Sequence, residues 1–301
     1  MMDLSRCPGL YCGRFPLPDG NWSSCTACPR GFRANAASIC EACNDNPTFY
    51  DWLYLGFMVM FPLICHWFAI DSTPQFRGSF NKEALILHLT AFVEVSLAAI
   101  LTLLLVDPVG SYQIRSCKVD KLQDWYTVFY NPNPHYEYTL HCTQEAVFPL
   151  YTMVFIFYLL NIIVLTSIRP LIVKFFIAKG AARTVYFGLY LFPILALIHL
   201  ICGGLIYYSF AYITIVLSVV SMATHFAFKL NQSVEFLLVS TITDLRNCLI
   251  LLGHWALHAY GLVVITQPHV NPLLIVLLVP TPALFYILTS RFTDPNHLHS
   301  D

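Results

Sequence analysis

Cysteine is the residue type whose placement in this chain most clearly calls for chemistry. Cys7, Cys12, Cys25, Cys28, Cys40 and Cys43 all lie within the first 43 residues, with Pro, Gly and Asn between them and few large apolar side chains. A segment this poor in apolar residues cannot build a core, so covalent staples must replace hydrophobic burial. Two chemistries compete for the sulfurs. Cys25-x2-Cys28 and Cys40-x2-Cys43 have the pair spacing of a tetrahedral zinc site, although the 11 residues between the pairs are fewer than in the usual zinc ribbon. An even set of cysteines enclosing a glycosylation acceptor, Asn21-Trp22-Ser23, fits a lumenal disulfide module better. Spacing alone leaves the connectivity open. Further along, Cys117 and Cys142 share one loop and form a candidate additional disulfide.

A second constellation is His254-Trp255-Ala256-Leu257-His258. Two histidines at i and i+4 share one helix face and can chelate a metal, as in metallohydrolases. His88 or His199, with Glu94, could complete such a site. The simpler reading is that each histidine makes a hydrogen bond from helix to helix, the usual work of polar residues in a membrane bundle. Glu94 is the one acidic residue expected inside a span, and it must face the bundle interior and be paired or protonated. No glycine loop able to cradle a phosphate is present, and no Ser or Cys in a span has a base at a diagnostic spacing. The reading is therefore non-enzymatic, with no cofactor and no assigned metal. Candidate partner contacts are the basic positions Arg169, Lys174, Lys179 and Arg183, interleaved with apolar residues.

These residues need elements to hold them. Apolar residues make up 57% of the 301, charged residues only 11%, and mean hydropathy is +0.63, which describes a polytopic membrane protein. A net charge of −1 without a basic stripe excludes nucleic acid as a partner. The expected fold is all-α, with seven transmembrane helices behind a disulfide-rich module at 1–49. The spans fall near 52–70, 84–106, 146–168, 184–203, 205–228, 247–266 and 272–290, and a loop at 107–145 separates the second from the third. Residues 184–228 form an uncharged run of 45 residues. As one helix it would be about 67 Å long, so it is expected to fold back at Gly203-Gly204. Gln267-Pro268 and Asn271-Pro272 divide the last two spans. A helix is also possible at 229–246, lying at the interface.

Positive charge sets the orientation. With the N-terminus lumenal, nine Lys and Arg residues lie in cytosolic segments and three in the 107–145 loop. The tail at 291–301 is then cytosolic, and a second acceptor, Asn231-Gln232-Ser233, falls on the cytosolic side.

Several strings resemble one family. They are YDWLYLGFM at 50–58, DPVG at 107–110, DWYTVFYNPNP at 124–134, HCTQEAVFPLYTMVFI at 141–156, HWALHAYG at 254–261 and VPTPALFYILTSRFTDP at 279–295. The chain resembles the c-Jun N-terminal kinase-associated membrane protein family over almost its whole length. That resemblance implies a seven-span protein of the endoplasmic reticulum membrane acting as an adaptor in endoplasmic-reticulum-associated degradation. Its implied partners are proteasome subunits, a membrane RING ubiquitin ligase and c-Jun N-terminal kinase, besides membrane lipid. The alternatives from the residues alone are a metal-dependent intramembrane lipid hydrolase and a seven-span receptor.

Overall fold

A computed structural model describes residues 6–74, 76, 81–127, 129, 142, 145–177, 181–229, 231–267 and 271–292. Two compact units divide the chain, Met1–Tyr207 and Tyr208–Asp301.

The first unit opens with two small antiparallel ladders. β1 (Cys12–Gly13) pairs with β2 (Thr26–Ala27), and β3 (Phe32–Ala34) pairs with β4 (Cys40–Ala42). The Cys28-Pro29-Arg30-Gly31 turn starts β3: Gly31 takes φ +79°, and the Phe32 N–H donates to the Pro29 carbonyl at 3.0 Å. All eight candidate cysteines are in disulfides. Cys7–Cys25 and Cys28–Cys40 close the module on itself, while Cys12–Cys142 and Cys43–Cys117 tie it to the 107–145 loop. The sulfurs of the two x2 pairs thus go to three bridges, with Cys28 and Cys40 bonded to each other, and do not converge as zinc ligands. The expected pairing of Cys117 with Cys142 is not made. A short antiparallel bridge between Asp45 and Ser116 lays the loop along the module, and the Ser116 N–H donates to the Asp45 carbonyl at 2.8 Å. That register puts Cys117 beside Cys43.

Three long apolar helices follow: α1 (Phe49–Ser72), α2 (Lys82–Leu105) and α3 (Leu150–Phe176). Thr48 and Asp51 form a capping box at the start of α1, and Asn81 caps α2. α3 departs from the expected span at both ends. Residues 146–149 are turns, and the helix runs on through Arg169-Pro170 to Phe176. Proline there costs one backbone bond. The run is held instead by what Arg169 does, described below.

α4 (Ala182–Ala227) is a single helix of 46 residues. The turn expected at Gly203-Gly204 is absent because those glycines do a different job. A Cβ on Gly204 would lie 2.6 Å from Cβ and 2.8 Å from Cγ of Trp125, so the missing side chain lets the indole sit against the helix backbone. With no polar residue beside the pair to stabilise a reversal, a glycine cost of about 1 kcal/mol does not break the helix.

Within the second unit, α5 (Val234–Thr243) and α6 (Leu245–Thr266) are joined at Asp244, which caps α6. The expected last span is interrupted. α7 (Pro272–Leu278) ends before Pro280, and α8 (Thr281–Thr289) starts again with Pro282 in its first turn, because neither proline can donate to the preceding turn. Met222, Phe226, Leu237, Leu251, Ala283 and Ile287 form the core of this unit. Among the described residues, five helices are long and apolar enough to cross a membrane: α1, α2, α3, α4 and α6. The segments expected as spans four and five are one helix, and the seventh is two short ones.

Candidate functional site

Glu94 has its partner, and it is Arg169. Both are fully buried, at 1% and 0% exposure. Arg169 Nε donates to Glu94 Oε1 at 3.2 Å and Nη2 donates to Oε2, a two-pronged pair between the middle of α2 and the last third of α3. The remaining Nη1 donates to His66 Nδ1 on α1 at 3.3 Å and to the Thr184 carbonyl on α4 at 3.2 Å. One guanidinium therefore ties together four helices. Because Arg169 can only donate, His66 Nδ1 accepts and the imidazole carries its proton on Nε2. Gly188 permits the approach of α4, since a Cβ there would fall 2.8 Å from the His66 ring.

Arg169 is therefore not a surface contact for a partner; it lies inside the bundle, where charge compensation decided its place. Lys174 and Arg183 are exposed, as are Phe175 and Phe176 at 70% and 59%. The Lys174 ammonium lies 5.7 Å above the Phe175 ring. Lys179 lies outside the described residues.

At the other end of α1 a second polar site fastens the disulfide module to the helices. Asp124, which is buried, accepts from Tyr11 Oη at 3.1 Å, Arg33 Nη2 at 3.0 Å, and the backbone N–H groups of Asp120 and Lys121 at 3.1 Å each. Burial, and then the charge of Asp124, pushes the Tyr11 hydroxyl well above its ordinary value, so it stays a donor. The next residue, Trp125, enters an aromatic cluster with Tyr54 and Tyr207, with ring centroids 5.1–5.9 Å apart. Tyr207 Oη donates to Asp51 Oδ1 at 2.6 Å, and Tyr50 Oη donates to the Tyr207 carbonyl at 2.7 Å. The capping carboxylate of α1 thus also holds α4.

Each histidine of the expected metal constellation is engaged elsewhere. His254 Nδ1 contacts the Ile250 carbonyl one turn back at 2.7 Å. His258 Nδ1 lies 2.8 Å from Ser218 Oγ. The Ser218 hydroxyl donates to the Ile215 carbonyl at 2.7 Å, so its oxygen accepts from the imidazole and is not activated as a nucleophile. His88 bonds the Ala84 carbonyl and faces Asp71 at 3.5 Å, and His199 Nε2 lies 3.1 Å from the Tyr151 carbonyl. Among the described residues, no three His, Cys, Asp or Glu side chains are grouped to hold a metal.

Sequence reasoning misses Asp124, Tyr11 and Arg33 as site residues, and it assigns Arg169 to a partner surface instead of to Glu94. Glu94 held the one available signal, since a lone intramembrane carboxylate demands a cation from another span.

The family model for JNK1/MAPK8-associated membrane proteins matches residues 7–295. The chain belongs to that family. It is 46% identical over 308 aligned positions to the JNK1/MAPK8-associated membrane protein of Mus musculus, covering 98% of this chain and 96% of the relative. The Homo sapiens protein is 45% identical over 306 positions, with the same coverage. A Caenorhabditis elegans homolog is 30% identical over 278 positions, covering 91% of this chain and 84% of its own length. No solved structure matches.

Proposed function

We propose that this protein is a non-enzymatic adaptor of the endoplasmic reticulum membrane. In this reading it associates with the kinase JNK1 and gathers proteasome subunits and a membrane RING ubiquitin ligase during degradation of misfolded proteins. The observation that carries it is the near end-to-end relationship with membrane proteins named for association with JNK1/MAPK8. Three features support it. The disulfides suit an oxidising lumen. Asn21, the acceptor in the module, is exposed. His88, His199, His254 and His258 each contact a carbonyl or hydroxyl oxygen within the helices.

An adaptor of this construction has little surface for soluble partners. A stable complex buries about 1,200 Å² or more, which a single short loop hardly supplies, so its contacts are weak or multivalent. The exposed cations Lys174 and Arg183, beside Phe175 and Phe176, form the contact surface in this proposal. Replacing both cations by alanine should cut recovery of JNK1 and proteasome subunits after proteotoxic stress, with the Asn21 glycan and the disulfides intact. Unchanged recovery of both partners removes this surface from the proposal.

A further inference from the structure

The cleft between α1 and α2 is an apolar feature of the first unit that the adaptor reading leaves unused. Toward the α1 C-terminus the two helices are closed together by Ile70, Phe76, Leu87 and Ala91, with Leu63 packed on the edge of that cluster. Toward the disulfide module they part. The cavity there has a volume of about 360 Å³, and α3 provides its floor through Met153, Val154 and Phe157. Gly56 on α1 and Ser96 and Ala99 on α2 keep it open by being small, while Trp52 and Phe92, 42% and 51% exposed, stand at its rim. Val106, Ile114 and Met153 form a buried cluster, against which the lining residues Leu55 and Leu103 also pack. Exposed Trp52 and Phe92 place its opening on the outer surface between α1 and α2, two helices apolar enough to lie in hydrocarbon.

We propose that this cleft is a binding site for a single lipid hydrocarbon chain from the leaflet on the module side. The lining runs from Trp52 to Leu63 on α1 and from Phe92 to Leu103 on α2, a rise of 11 residues along each helix. At 1.5 Å per residue each is about 16 Å, close to half of a hydrocarbon core about 30 Å thick. The site is as deep as one leaflet. Its volume also selects the occupant. A partner helix about 10 Å across would need roughly 1,300 Å³ over the same depth, more than the empty space of about 970 Å³ in the cleft with its open side counted. A chain entering from the side meets walls that are apolar apart from Ser96 and Thr102, and its headgroup stays at the level of Trp52, where interfacial aromatics sit.

The test uses the full-length protein in lipid nanodiscs, irradiated with a phosphatidylcholine carrying a mid-chain diazirine. Adducts are mapped by peptide mass spectrometry. Adducts are expected to concentrate on 56–63 and 92–99. Ala99→Phe and Ser96→Leu, which fill the cleft, should lower them about tenfold against labelling of the lipid-facing part of α4, a difference of about 1.4 kcal/mol in occupancy. Monodisperse elution and intact Cys12–Cys142 and Cys43–Cys117 bridges certify that each variant is folded, and Leu97→Phe on the exposed face of α2 should leave labelling unchanged. Uniform labelling of all lipid-facing helices, or labelling that survives both filling variants, overturns the proposal. So does preferential labelling of the cleft by a photoreactive sterol over the phospholipid.

Discussion

Arg169 illustrates how one residue's chemistry can outweigh its position in the chain. It lies beside a proline and opens a stretch in which basic residues recur among apolar ones, yet it is wholly buried against Glu94. A buried ion pair is poor evidence of net stabilisation, but removing one partner strands the other charge and costs about 3–5 kcal/mol. Arg169→Met should therefore lower the melting temperature of the purified protein markedly. Adding Glu94→Leu should restore most of the loss, because the double variant strands no charge. A double variant no better than the single would mean that the bonds to His66 and Thr184 matter more than the pair. Asp124 offers a second residue-scale test. Asp124→Asn should cost about 1–3 kcal/mol, through the weakened bonds to Arg33 and Tyr11, and should make the 107–129 region cleavable by added protease. The need of Glu94 for a partner was legible in the sequence. Its identity was not, because basic residues at the end of a span serve as topology markers far more often than as buried counter-ions.

Among the elements, α1, α2 and α6 lie close to where uncharged length and flanking caps place them. α4 does not, because a glycine pair reads equally as a turn or as a surface for close packing, and only the position of Trp125 decides. Gly204→Ala should destabilise by about 1–3 kcal/mol through its clash with the indole, and should shift Trp125 fluorescence. Gly203→Ala, whose Cβ would approach Tyr151 no closer than 3.2 Å, should cost less. The unbroken helix also bears on sidedness. If 182–227 crosses once, a cysteine introduced as Asn231→Cys at that exposed position becomes accessible to an impermeant maleimide from the side on which Asn21 lies. Labelling from the opposite side only would restore the fold-back within 184–228. The break between α7 and α8 was legible in principle, since Pro280 and Pro282 are in plain view. Apolar composition outweighed them in the reading of that stretch as one span.

At the scale of the whole molecule, the amount of cysteine chemistry was readable but its routing was not. Nothing in the spacing of Cys12 or Cys43 says that each reaches past two helices. Peptide mapping without reduction should recover Cys12–Cys142 and Cys43–Cys117 as linked pairs, and recovery of a Cys117–Cys142 peptide would contradict the structure. This routing also sets a schedule for biogenesis. Cys43 must wait for Cys117, and Cys12 must wait 130 residues for Cys142, so neither bridge closes until the α1–α2 hairpin has been synthesised and threaded. A newborn chain that stalls between those helices would keep both thiols free and expose itself to the oxidoreductases of its own compartment.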